Sequence, residues 1–144
     1  MKAAIAGILV GALMAGMIVA CGPIEDHRKP EKHNEILQLW MQIREFKSNM
    51  HLRLEPSAQA LIAARQGTAS DQRHRVCPDN HDVKPVCYDT CNLADDICDN
   101  AEQICKIASE LPKDDTFAQS KCDDAKASCR EGKQRCCDCG KDPQ

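Results

Sequence analysis

The stretch that decides the fold is Cys91-Asn92-Leu93-Ala94-Asp95-Asp96-Ile97-Cys98 continued to Cys105, followed after Pro112-Lys113-Asp114-Asp115 by a second run through Cys122, Cys129 and Cys136. Each trio repeats every seven residues. In a helix, side chains seven apart share a face but stand roughly 10.5 Å apart along the axis, so no cysteine can bond within its own trio. If the chain reverses at 112–115, the facing pairs are Cys91–Cys136, Cys98–Cys129 and Cys105–Cys122. Any two trios of equal period would nest this way, so the arrangement needs independent support. The midpoint of each pair falls between Lys113 and Asp114, where Pro112 stops one helix and an Asp can cap the next.

With the cysteines at position a of a heptad, Ala94, Ala101 and Ala108 fall at d of the first helix, and Ala125 and Gly132 at d of the second. A seam of such small residues predicts helices close enough for disulfides to cross. The charges suit the same pairing: Asp95, Asp96, Asp99 and Glu102 would oppose Lys126, Arg130, Lys133 and Arg135. Exposed pairs of this kind contribute only ~0–1 kcal/mol each, so they select register more than they stabilise. Ile97, Ile104 and Leu111 form a parallel apolar row suited to receive another helix.

Two further pairs extend the ladder. One turn before Cys91 lies Cys87, which faces Cys139, leaving Cys77 for Cys137; the exchanged pairing, Cys77–Cys139 with Cys87–Cys137, satisfies the spacing nearly as well. This accounts for ten cysteines of eleven.

Outward from the hairpin, the spacing of Ile36, Leu37, Trp40, Ile43 and Lys47, with Leu39, Phe46 and Met50 beside them, predicts an amphipathic helix over 34–50. A short second helix is expected over 56–66, between Pro56 and Gly67, completing a helical region over 34–66. Residues 67–85 show no sustained period and read as a connecting loop, and 22–33, polar and with two prolines, as a tether. The hairpin occupies 86–139 and a short tail 140–144. The fold class expected is therefore all-α: a disulfide-laddered antiparallel helical hairpin with one or two additional N-terminal helices. In a chain of 144 residues with 3% aromatics, disulfides supply stability that a small core cannot.

Whether the sulfurs are oxidised depends on compartment. Met1-Lys2 followed by an uncharged apolar run to residue 20 reads as a secretory signal. Its end, Ile18-Val19-Ala20-Cys21, resembles the bacterial lipobox, which implies cleavage after residue 20 and lipidation of Cys21 by diacylglycerol and an N-acyl chain (palmitate-type). Gly22 in place of Asp implies sorting to the outer membrane, facing the periplasm or the surface. The stapled hairpin also resembles the twin-cysteine CHCH domains of the mitochondrial intermembrane space, although those repeat C-x9-C or C-x3-C; the resemblance implies a scaffold and transfers no site. Leu52-Arg53-Leu54-Glu55-Pro56-Ser57-Ala58-Gln59 resembles the L-x-L-T-x-x-Q pattern of periplasmic Spy-type chaperones and metal-stress sensors, with the Thr missing and the Gln displaced by one residue.

Chemistry-bearing patterns are sparse. Cys136-Cys137-Asp138-Cys139 contains a C-x-x-C, but at a helix C-terminus without strands, where no dipole lowers a thiol pKa. His74, Cys77 and His81 have zinc-compatible spacing, provided Cys77 is a thiolate. His27, His33 and His51 are scattered. No Ser/His/Asp set, paired-carboxylate signature or phosphate-binding glycine loop occurs, and no cofactor is implied. A net charge of −3 without basic blocks gives no footprint for nucleic acid. The expectation is a non-catalytic, lipid-anchored envelope protein whose disulfide-stabilised module is structural or binds another envelope protein; the alternative is a periplasmic metal-binding or envelope-stress sensor with chaperone-like character.

Overall fold

The computed structural model describes residues 28–77 and 82–141, and these are all-helical. Five α-helices follow in chain order: α1 (Arg28–Asn49), α2 (Ala58–Ala64), α3 (Ala69–Val76), α4 (Tyr88–Ser109) and α5 (Thr116–Asp138), with a single 3-10 turn at Pro85–Cys87 leading into α4.

Helices α4 and α5 form the hairpin. The first ends before Pro112, with Glu110 and Leu111 closing its last turn through bonds to the Ile107 and Ala108 carbonyls. The second begins at the Asp115 cap, whose carboxylate accepts from the Ala118 amide at 3.1 Å. Between the helices, Ala94, Ala101, Ala108 and Ala125 are fully or almost fully buried. At Gly132 an added Cβ would stand 3.4 Å from the Ala94 Cα, so the seam there has little room for a side chain.

Helix α1 covers the groove of this pair. Ile36, Trp40 and Ile43 are buried against the Ile97, Ile104 and Leu111 row in one continuous core. Lys32 meets Glu110 and Gln42 meets Asn100, whereas His33 meets Asp115 and Lys47 meets Glu131. Helix α1 therefore runs antiparallel to α4 and parallel to α5, and the three make the bundle.

In the run of helices, the structure departs from the expectation at two places. Helix α1 begins at Arg28 rather than residue 34, so the last six residues of the expected tether are its first turns. Pro30 is compatible because amides of a first turn have no helical partner to lose. The expected loop over 67–85 contains α3, which starts from a reciprocal cap between Thr68 and Asp71 and buries only Ala69 and Gln72. A helix held by polar contacts leaves no apolar period to read. Helix α2 starts at the Ser57 cap, one residue after Pro56, and packs Ala60 and Ala64 on Ala127 of α5.

Candidate functional site

The feature that dominates the molecule is its row of sulfurs. Cys91–Cys136, Cys98–Cys129 and Cys105–Cys122 bridge α4 and α5 with Cα separations of 4.7, 4.6 and 4.6 Å. Of the two arrangements open for the remaining four cysteines, the structure has Cys77–Cys137 and Cys87–Cys139, at 5.6 and 5.8 Å. The three inner rungs are shorter because two helix backbones must approach directly across an Ala/Gly seam. The outer two are longer because they involve residues at or beyond helix ends: Cys77 just after α3, and both Cys87, in the 3-10 turn before α4, and Cys139, just after α5.

Cys98 and Cys129 are wholly buried, whereas Cys105 and Cys122 near the turn are half-buried. With ten cysteines joined in pairs, none of them is a thiolate able to attack a substrate or hold a metal. For the zinc-spaced set, Cys77 is committed to Cys137, His74 lies on α3, and His81 falls outside the described residues. Among the described residues, no three His, Cys, Asp or Glu side chains converge as metal ligands. Cys21 also lies outside the described residues. No helix among those described is long and apolar enough to cross a membrane.

Two polar clusters tie the other helices to the ladder. At its middle, the fully buried Lys47 donates to Glu131 Oε2 at 2.8 Å and to Ser128 Oγ at 3.4 Å. The other oxygen of Glu131 accepts from the Ser57 amide at 2.8 Å, so one carboxylate fastens α1 and the start of α2 to α5. The sequence showed Lys47 on the apolar face of α1 but gave no sign of its partner. A charge taken out of water needs such a partner, and Glu131, with a side chain 21% exposed, supplies it at the bundle's edge.

At the turn, Asp115 holds three donors. Besides the Ala118 amide, its carboxylate meets Lys29 Nζ at 3.0 Å and His33 Nε2 at 2.9 Å, while the His33 ring stands 4.6 Å from that of Phe117. His33 thus has a definite place, which a reading of residues 22–33 as tether missed. The Ala118 amide above all, with Lys29 and His33 adding to it against the opposing effect of burial, holds the Asp115 pKa down to about 2. Further along, Lys121 lies over the Trp40 ring at 4.5 Å.

Helix α3 accounts for the redistribution of the expected charge pairs. Lys133 does cross the hairpin to Asp95 at 2.9 Å, but Asp99 is taken by Arg73 of α3, and Arg130 reaches Gln72. Lys126 pairs within its own helix with Asp123. The hydrogen bonds of the buried Gln72, one to the Gln66 carbonyl and one from Arg130, fix the polar underside of α3 before Cys77 locks its end.

The hollows on this surface are open and shallow, and three of them are lined in part by residues already engaged in these contacts, such as Asp99, Glu131 and Arg130. Together the bridges and polar contacts hold five helices in one geometry. No protein-family model, curated protein or solved structure matches the chain.

Proposed function

We propose that this is a lipid-anchored, non-catalytic protein of the bacterial cell envelope, in which the laddered bundle is a rigid structural or protein-binding module. The observation that carries the reading is the pairing of ten cysteines into five bridges. That state persists in an oxidising compartment, and small extracytoplasmic domains use it in place of a large core. The apolar run ending in Ile18-Val19-Ala20-Cys21 supports the anchor, with diacylglyceryl and N-acyl chains on Cys21 and the outer membrane as destination. The reading as a module rather than an enzyme is supported by where the reactive side chains are spent: Lys47, Glu131, His33 and Asp115 all join helices to one another.

The test is the mass of the protein isolated from membranes. A mature chain starting at Cys21, acylated, with no thiol alkylated before reduction, is the expected result. An uncleaved leader would refute the anchor. Several free thiols with stoichiometric zinc would refute the bridged module in favour of a metal-binding stress protein.

A further inference from the structure

Six large apolar side chains are notably exposed among the described residues: Leu37, Met41, Leu54, Ile62, Val86 and Tyr88. Three of them are neighbours. Leu37 and Met41 are one helical turn apart on a flank of α1, and Met41 and Leu54 line one shallow hollow of about 310 Å³ together with Arg44, Glu45 and Ser48. They are 41%, 66% and 40% exposed. The flank belongs to α1 yet takes no part in the core, which uses Ile36, Trp40 and Ile43 instead.

The length of chain before α1 indicates what covers it. From Cys21 to Arg28 there are seven residue steps, a reach of at most about 25 Å. Along α1, Leu37 lies only about 14 Å and Met41 about 20 Å beyond Arg28. The N-terminal end of α1 is not free to swing away from the bundle, because Lys29 and His33 are held by Asp115 and Lys32 by Glu110. Helix α4 is about 33 Å long, which exceeds the leash, so the bundle cannot lift its turn end off the bilayer by its own length. With the leash slack, this flank of α1 can reach the lipid surface that carries Cys21.

We infer that the Leu37, Met41 and Leu54 face docks on the bilayer carrying the anchor, laying α1 along the headgroup boundary. This rests on the anchoring reading of Cys21. Apolar side chains on a helix in that plane enter the boundary between headgroups and acyl chains, while the charged residues beside them, Arg44 with Glu55 3.6 Å away and the exposed Glu45, stay at the level of the headgroups. The bilayer holds the bundle by one side and leaves the opposite side to a protein partner.

Methionine oxidation reads this directly. The lipidated protein is reconstituted in phosphatidylethanolamine/phosphatidylglycerol vesicles and treated with peroxide, alongside a Cys21→Ser protein exported behind a cleavable non-lipoprotein signal so that residues 1–20 are absent, and oxidation is followed by peptide mass spectrometry. Met41 is expected to oxidise at least about fivefold more slowly on vesicles, as a side chain sunk among headgroups should. Met50, 4% exposed, is slow in both and serves as the internal control for folding. Equal Met41 rates in a protein whose acyl mass is verified would overturn the docking and leave the anchor standing. Absence of acyl chains would overturn the anchor and the docking with it. Protection of Met41 in Cys21→Ser that grows with protein concentration would assign the face to a second copy of the chain, and would also overturn the inference.

Discussion

Replacing Cys98 and Cys129 together by alanine removes the central rung and should cost more than removing Cys105 and Cys122 at the turn. Taken separately, loops of 31 and 17 residues would restrict the unfolded chain by about 3.7 and about 3.1 kcal/mol. The rungs are nested, however. With its neighbours intact, the central bridge closes a cell of about 15 residues, seven along each helix and the crossing, so its own share falls to about 3 kcal/mol. Chain entropy therefore makes the two rungs equal, and burial decides between them. Cys98 and Cys129 are wholly buried, and deleting their sulfurs adds roughly 1–2 kcal/mol of lost packing, whereas the half-buried pair at the turn loses much less. Alanine suits the seam, so no new strain enters. In guanidinium unfolding of the oxidised proteins, with a slope of roughly 3 kcal/mol per molar, the midpoint should fall by about 1.5 M for the central pair and about 1 M for the turn pair. Equal shifts, or a larger loss at the turn, would show that sulfur burial does not set the ranking. A central loss under about 1 kcal/mol would show that the helices hold their register without it.

Three further outcomes follow from the polar contacts and the seam. Asp115 titrates at about 2 when folded and near the ordinary carboxylate value when unfolded, so its contribution is complete above about pH 4 and is lost as pH falls from about 4 towards 2; Asp115→Asn, which keeps the cap, should flatten acid unfolding in that window. Lys47→Met leaves Glu131 with only the Ser57 amide and should destabilise by roughly 1–3 kcal/mol, while adding Glu131→Gln, which still accepts from that amide, should recover most of the loss in thermal melts. Gly132→Val places methyl groups against Ala94 between two fixed rungs and should cost at least about 2 kcal/mol and lower the yield of fully bridged protein on oxidative refolding.

The hairpin was legible because sulfur, unlike an apolar side chain, must meet a single partner, and a seven-residue period leaves few partners that geometry allows. The Ala/Gly seam and the capped turn at Asp115 were equally local signals. What escaped notice was held by polar chemistry at long range. Helix α3 has no apolar stripe because it rests on Arg73, Gln72 and a bridge, and its one sequence sign was the Thr68–Asp71 spacing of a cap. The first turns of α1 look like a tether because Lys29, Lys32 and His33 are polar residues whose partners lie about eighty positions away, at Glu110 and Asp115. The same distance hid Glu131 from Lys47. Inserting α3 then redrew the charge pairs expected across the hairpin, since Asp99 answers to Arg73.

The most direct test of the ladder is the bridge map of the oxidised protein. Cleavage before aspartates and after basic residues places Cys91, Cys98 and Cys105 on separate peptides, and likewise separates Cys122, Cys129 and the Cys136-Cys137 pair. The account predicts that the Cys98 peptide is joined to the Cys129 peptide and the Cys105 peptide to the Cys122 peptide, with Cys87 joined to Cys139. Recovery of Cys98 or Cys129 as a native free thiol, or bonded to any other cysteine, would contradict it.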